Sequence, residues 1–318
     1  MADRFAADLA ALWPLSEPLG LAVSGGPDSL ALLALAHRAR PQGLAVATVD
    51  HGLRREAAAE AAMVAAACAA RGLAHRTRTV AVEREGNLQA NARHARYAAL
   101  ATWSAEQGLR AVATAHHADD QAETLLMRLV RGAGVRGLAA IRPRAPWPVK
   151  GTAGAPPALL RPLLGWRRDE LAEVVAEAGL EPAHDPGNSD ERFERAAIRR
   201  RLAEAPWLPP ERLAAAAAHL AQADEALVWA TGREMLDQAE TLANGWRYRP
   251  RAPRAVRLRV LERLLVLAGD GSEPRGGDLA RLLDALEAGR SATLAGALCR
   301  PQADRSWHIA PAPPHRRT

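Results

Sequence analysis

The sequence predicts an α/β protein. A parallel five-stranded sheet covered by helices on both faces is expected over residues 1–205, and a smaller, mainly helical domain over residues 206–318. Three observations predict it. Short apolar runs of strand length alternate with helix-length stretches through the first half. The polar strings that carry chemistry all fall where a strand gives way to a helix, at the strand ends where ligands of such sheets bind. Pro206, Pro209 and Pro210 then read as a linker before a series of helical patterns.

In order, Leu19 to Val23 reads as a buried strand, and Pro27 to Ala39 as a helix whose proline suits the first turn. Leu44 to Val49 is a second strand and Arg55 to Arg71 a second helix. Thr77 to Val82 reads as a third strand, followed by a helix from about Asn87 to Gln107. Arg110 to Ala115 and Leu159 to Leu164 complete the strands. Helices are expected at Ala118 to Val130 and at Arg168 to Ala178, the latter closed by Gly179. The proline- and glycine-rich stretch Pro143 to Pro157 reads as a mobile loop, and Glu181 to Asp190 as irregular. An arginine-dense helix, Glu191 to Ala203, leads to the linker. Helices follow at Glu211 to Leu242, Arg257 to Ala268 and Asp278 to Ala288, with room for a terminal strand pair in Ala292 to Ile309.

A chain of 318 residues with 48% hydrophobic and 25% charged residues is ordinary for a globular protein with one sizeable core and a smaller one. Aromatics make up only 4%, so close packing on alanine is expected. The net charge of +6 is almost all arginine, Lys150 being the single lysine. That bias is either a compositional habit or a preparation for a polyanionic partner, since guanidinium groups hold phosphates bidentately. Cys68 and Cys299 form no CxxC pair, which argues against a disulfide framework, a zinc ribbon or an iron–sulfur site. No basic leader and no bilayer-length apolar run is visible, so a cytoplasmic protein without a membrane partner is expected.

The strongest string is Ser24-Gly25-Gly26-Pro27-Asp28-Ser29, between a strand and a helix. Its glycines let the backbone curl around an anion, and the first N–H groups of the helix then face a phosphate, helped by the serine hydroxyls. No lysine follows, so this is not the GxxxxGK[ST] loop. A carboxylate beside phosphates is repulsive unless a cation bridges them, so Asp28 implies Mg²⁺. The second string, His116-His117-Ala118-Asp119-Asp120-Gln121-Ala122-Glu123, places Asp119 and Glu123 on one helical face. Asp120 either caps that helix or joins a cation site, and a transition metal is the alternative to Mg²⁺ there. Asp50, His51 and Arg54 end the second strand, where they can reach a ribose, base or phosphate, or form an ordinary turn with Gly52. Arg93, Arg96 and Tyr97 lie on adjoining helical faces, as a solvated basic face or a phosphate contact.

With these residues in view, SGGPDS is similar to the PP-loop of ATP pyrophosphatases. Together with VDHGLR, NARHARY, TAHHADDQAETLLMRLVRGAGVRGL, LRPLL, DPGNSD and the R-x-x-I-R of Arg195 to Arg199, the chain resembles the tRNA(Ile)-lysidine synthetase family over residues 19 to 205. It departs from that pattern at Gly187 and Ala196, where serine and asparagine are usual.

The resemblance implies a Rossmann-like, adenine nucleotide alpha-hydrolase-like sheet. It also implies a reaction of ATP, free L-lysine and the wobble cytidine of the CAU-anticodon isoleucine tRNA, giving lysidine, AMP and pyrophosphate. On that reading Ser24, Gly25, Gly26, Pro27, Asp28 and Ser29, with Asp50, His51 and Arg54, bind ATP. Asp28, Asp119 and Asp120 carry Mg²⁺. His117 is a proton acceptor or phosphate contact, and Arg93 joins it in the catalytic set. Arg96, Tyr97, Arg131, Arg136, Arg195 and Arg199 face tRNA or nucleotide. Asp50, Asp119, Asp120 or Glu123 receives the lysine ammonium. A homodimer is compatible with the reading. A tRNA thiolase, an amidating ligase and a non-catalytic nucleotide-binding protein are the alternatives.

Overall fold

The computed structural model describes residues 1–52, 56–83, 85–149, 155–183 and 194–313. The chain divides into two compact units, Met1–Ala221 and Gln222–Thr318. Arg54 and residues 185–190, which include Gly187, lie outside the described residues.

The first unit opens with α1 (Ala2–Ala10), which buries Phe5 and Leu9. Then come β1 (Leu19–Ala22), α2 (Pro27–Ala39), β2 (Leu44–Asp50), α3 (Ala57–Ala69), β3 (Ala74–Thr79), α4 (Leu88–Glu106) and β4 (Ala111–Ala113). They are followed by α5 (Ala118–Val130), α6 (Val135–Leu138), β5 (Arg144–Ala145), β6 (Ala158–Leu160), α7 (Arg168–Glu177) and α8 (Glu194–Ala203). The division between units falls inside α9 (Pro210–Gln238).

Among the described residues the strands of this unit form a six-stranded sheet in the order β3-β2-β1-β4-β6-β5. The first five are mutually parallel, as the alternating pattern requires, and β5 adds a short antiparallel edge. A two-residue strand leaves no periodicity to read, which is why it lay hidden in the stretch read as a loop. The same stretch buries Trp147 and Val149. β3 lies three residues earlier than expected, because it is a mostly exposed edge strand without an apolar face and the apolar run ending at Val82 follows it. The strand order reverses between β1 and β4, creating the crevice at which open α/β sheets bind ligands.

Each face of the sheet has its own core. Leu19, Leu21 and Val23 pack with α1, α2, α3 and α7 through Phe5, Leu30, Leu33, Val64 and Val174. On the other face Val112 and Leu159 meet Tyr97, Leu100 and Trp103 of α4, and Trp147. Gly20 of β1 is required there, since a Cβ would stand 2.9 Å from the Trp103 ring.

The second unit combines the end of α9 with α10 (Arg254–Ala268), α11 (Gly276–Glu287) and β7 (Ala239–Leu242), β8 (Gly245–Tyr248), β9 (Ala292–Leu294), β10 (Ala297–Pro301) and β11 (Trp307–Pro311). Its helices are joined by an antiparallel sheet in the order β7-β8-β11-β10-β9, larger than a terminal strand pair. The helix expected to reach Leu242 stops at Gln238, because the two-residue turn Ala243-Asn244 closes a hairpin that pairs Ala239–Leu242 with Gly245–Tyr248.

Candidate functional site

The Ser24–Ser29 loop leaves β1 at the middle of the sheet and enters α2. Gly25 adopts φ +93°, a region that L side chains rarely occupy, and a Cβ there would meet Met63 of α3 at 3.2 Å. Gly26 occupies the N-cap and Pro27 the first turn. The buried Ser29 hydroxyl accepts N–H bonds from Ser24 and Gly25, both at 3.1 Å, and donates to the Gly26 carbonyl at 2.9 Å. Ser29 thereby holds the curl, while Ser24 stays exposed at its lip. The Gly25 carbonyl is taken by the Ala183 N–H at 3.0 Å. The leading N–H groups of α2 have no partner within the helix and face outward.

The second string begins where β4 ends, next to β1. His117 is the N-cap of α5 in a reciprocal capping box. Its Nδ1 accepts the Asp119 N–H at 3.2 Å, and Asp120 Oδ2 accepts the His117 N–H at 3.1 Å. Asp120 is thus a cap, yet its Oδ2 also lies 3.6 Å from His117 Nε2. Asp28 Oδ2 stands 3.4 Å from the same Nε2, and Asp119 Oδ2 3.4 Å from Nδ1. The two strings therefore meet on one imidazole, whose side chain is only 1% exposed.

Burial opposes a charge on His117, but the carboxylates of Asp119, Asp28 and Asp120 outweigh it and raise the ring to about 9. Burial likewise opposes the Asp119 charge. His117 and the Arg168 N–H, 3.0 Å from Oδ2, prevail and lower it to about 2. Asp28 Oδ1 is a buried acceptor with no hydrogen-bond donor. That free oxygen fits Mg²⁺ held by one or two carboxylates together with substrate phosphates. Among the described residues no three His, Cys, Asp or Glu side chains could hold a metal by themselves.

One turn along α5, Glu123 is also 1% exposed and is surrounded by arginines. Arg199 Nε donates to it at 2.7 Å, Arg195 Nε lies at 3.3 Å and Arg168 at 3.7 Å. Arg195 also donates to Thr124 at 3.2 Å. Glu123, Arg195 and Arg199, assigned separately from the sequence, are one cluster. On the α4 side, Arg93 and Arg96 stack on the buried Tyr97 ring at 4.8 and 5.7 Å. Asp50 Oδ1 accepts the Gly52 N–H at 2.8 Å, and the charge of Arg96 bears on His51. Arg131 follows the far end of α5, about 20 Å from His117 at the helical rise, and Arg136 lies in α6 beyond it. Sequence reasoning missed His116, Arg161 and Arg168. His116 was visible in its string. Arg161 was visible in LRPLL but was given no role, and Arg168, the first residue of α7, carries no signal of its own.

Residues 3–205 match the model of the PP-loop domain. Over 316 residues, 99% of this chain and 95% of the relative, the sequence is 51% identical to the tRNA(Ile)-lysidine synthase of Novosphingobium aromaticivorans. The chain belongs to the tRNA(Ile)-lysidine synthase family. Lysidine synthases of Zymomonas mobilis and Ruegeria pomeroyi are 41% and 44% identical, covering 96% and 90% of this chain and 91% and 70% of theirs. The fold is shared with a U34-tRNA thiolase of Methanococcus maripaludis, at a TM-score of 0.55 and 15% identity over 68% of this chain and 76% of that one.

In this lysidine synthase family member the PP-loop domain supports ATP as the bound nucleotide. Thiol chemistry does not suit the chain. Cys68 and Cys299 are both buried, and burial pushes them up to about 11 and about 12, far from the reactive thiolate. No described helix is long and apolar enough to cross a membrane.

Proposed function

We propose that the protein joins free L-lysine to C2 of the wobble cytidine in the CAU-anticodon isoleucine tRNA. ATP is split to AMP and pyrophosphate through an adenylated cytidine. The observation that carries this is the meeting of the Ser24–Ser29 loop with Asp28, Asp119 and Asp120 around His117, in a chain matching a lysidine synthase over 99% of its length.

The cytosine O2 attacks the α-phosphorus and the bond to pyrophosphate breaks. The lysine amine then attacks C2, loses a proton, and AMP leaves. The loop N–H groups, shaped by Ser29, hold the departing phosphates at the positive end of α2. Asp28 with Asp119 or Asp120 would hold Mg²⁺, whose charge would offset that of those phosphates. His117, whose proton affinity the carboxylates of Asp119, Asp28 and Asp120 raise, serves a phosphate contact when protonated and proton acceptance when neutral.

The acids available to the lysine ammonium differ in what else they hold. Asp50 and Asp120 each commit one oxygen, to the Gly52 N–H and the α5 cap. Glu123 becomes accessible only if Arg195 and Arg199 turn away, as they would on meeting RNA phosphates. The reading calls for cytoplasmic tRNA and lysine, and nothing in it requires a homodimer.

Incubation with radiolabelled lysine, ATP and a panel of tRNAs tests the proposal. Label should enter only the CAU-anticodon isoleucine tRNA and only with ATP. Label in every tRNA, or in none while ATP is bound, would defeat it.

A further inference from the structure

Arg161 directly follows β6 and is only 7% exposed. One terminal nitrogen donates to the Arg142 carbonyl at 2.7 Å, while its Nε is buried without any partner. The guanidinium faces the Tyr97 hydroxyl. The same ring carries Arg93 and Arg96, and its edge is fixed against Trp147, with centroids 5.3 Å apart. Trp147 Nε1 in turn donates to the Tyr97 carbonyl at 3.0 Å. Three guanidiniums are therefore gathered on one immobilised aromatic. Among the described residues none of the three has an ion-pair carboxylate.

That arrangement is costly in isolation. Withdrawing an ion from water costs more than an arginine–aromatic contact returns. Burial accordingly weakens the hold of Arg96 and Arg161 on their protons, and Arg93 adds repulsion to both. His116, at the end of β4, is kept neutral, down to about 4. Burial is the main cause; Asp120 opposes it, while Arg161, Arg93 and Arg195 act in the same direction as burial. At the end of β2, His51 presents a buried, unpartnered Nδ1 near Arg96. His51, His116 and Arg161 follow the carboxyl ends of β2, β4 and β6, on either side of the strand that feeds the phosphate loop, and α4 brings Arg93, Arg96 and Tyr97 to Arg161. Two strand spacings, about 10 Å, separate β6 from β1, more than the width of one phosphate.

We propose that Arg93, Arg96 and Arg161, assembled on Tyr97, form a second anion site. It takes a phosphate other than the one seated in the Ser24–Ser29 loop, and the planar forks suit its oxygens. That phosphate comes either from the RNA backbone beside the target base or from departing pyrophosphate. The inference deepens the proposed function and rests on it for the RNA alone.

The test compares the full chain with Arg161→Gln and with Arg93→Gln, the latter at an exposed position that folding tolerates. Two quantities are measured without turnover: the salt dependence of tRNA retention, and equilibrium dialysis of radiolabelled inorganic pyrophosphate. If RNA supplies the phosphate, the log–log salt slope falls by about one unit for each arginine removed and pyrophosphate binding is unchanged. If pyrophosphate is the ligand, its binding weakens at least tenfold and the slope stays. Parent-like slope and pyrophosphate affinity in Arg93→Gln would overturn the site, whether or not Arg161→Gln folds. Failure of the function itself looks different, because the unaltered chain would then not retain tRNA and the pyrophosphate arm alone would decide.

Discussion

His117 offers the sharpest test of how the two sequence strings are coupled. Its raised proton affinity, from 6.5 to about 9, corresponds to about 3 kcal/mol of stabilisation. The ring is 1% exposed, so solvent screening does not erode that figure. Because the folded value lies above the unfolded one, the stabilisation is complete below pH 6.5. It fades as pH rises through about 9. Asp119 behaves in the opposite sense: its contribution is full above pH 3.8 and is lost as pH falls through about 2. His117→Asn keeps a side chain that can accept the Asp119 N–H, so the helix cap survives while the titration disappears. Urea unfolding of both proteins from pH 6 to pH 10 isolates the ring. The parent should lose about 3 kcal/mol more than the variant over that range. Parallel curves, or a ring that titrates near 6.5 by NMR, would refute the reasoning.

Asp28→Ala should abolish pyrophosphate release while leaving tRNA retention intact, because it removes the unpartnered Oδ1 and no arginine contact; continued turnover would contradict that assignment. Glu123→Gln should lower the melting temperature of the first unit by about 4–8 °C. A broken buried pair costs 3–5 kcal/mol, reduced to about 2 because the three arginines are 34–45% exposed and can recover water. An unchanged melt would mean that the cluster contributes nothing. Gly25→Ala imposes a left-handed residue worth about 1–2 kcal/mol and should weaken ATP binding about tenfold by calorimetry. Parent-like affinity would show that the loop does not need its curl.

Local chemistry made much of the molecule legible. α2 and α5 run from Pro27 to Ala39 and from Ala118 to Val130, as expected, because a first-turn proline and a run of acids mark their starts. The phosphate loop was readable for the same reason: two glycines, a proline and two serines act through their own backbone. β5 and the β7–β8 hairpin were not, since two to four residues make no period and their pairing is settled by a neighbour.

What the chain determined unaided is everything that depends on adjacent residues: the strand–helix alternation, the loop, the capped α5 and the excess of arginine. Tertiary structure alone decided which charges meet. Arg199 finds Glu123 across 76 positions, and His117 finds Asp28 because the sheet sets β4 beside β1. Proximity of that kind is a property of strand order, which no spacing along a polymer encodes. The energy of a buried charge depends on its neighbours in space, so the environment of His117 and the surroundings of Arg161, a residue visible in LRPLL, were beyond the reach of composition or motif.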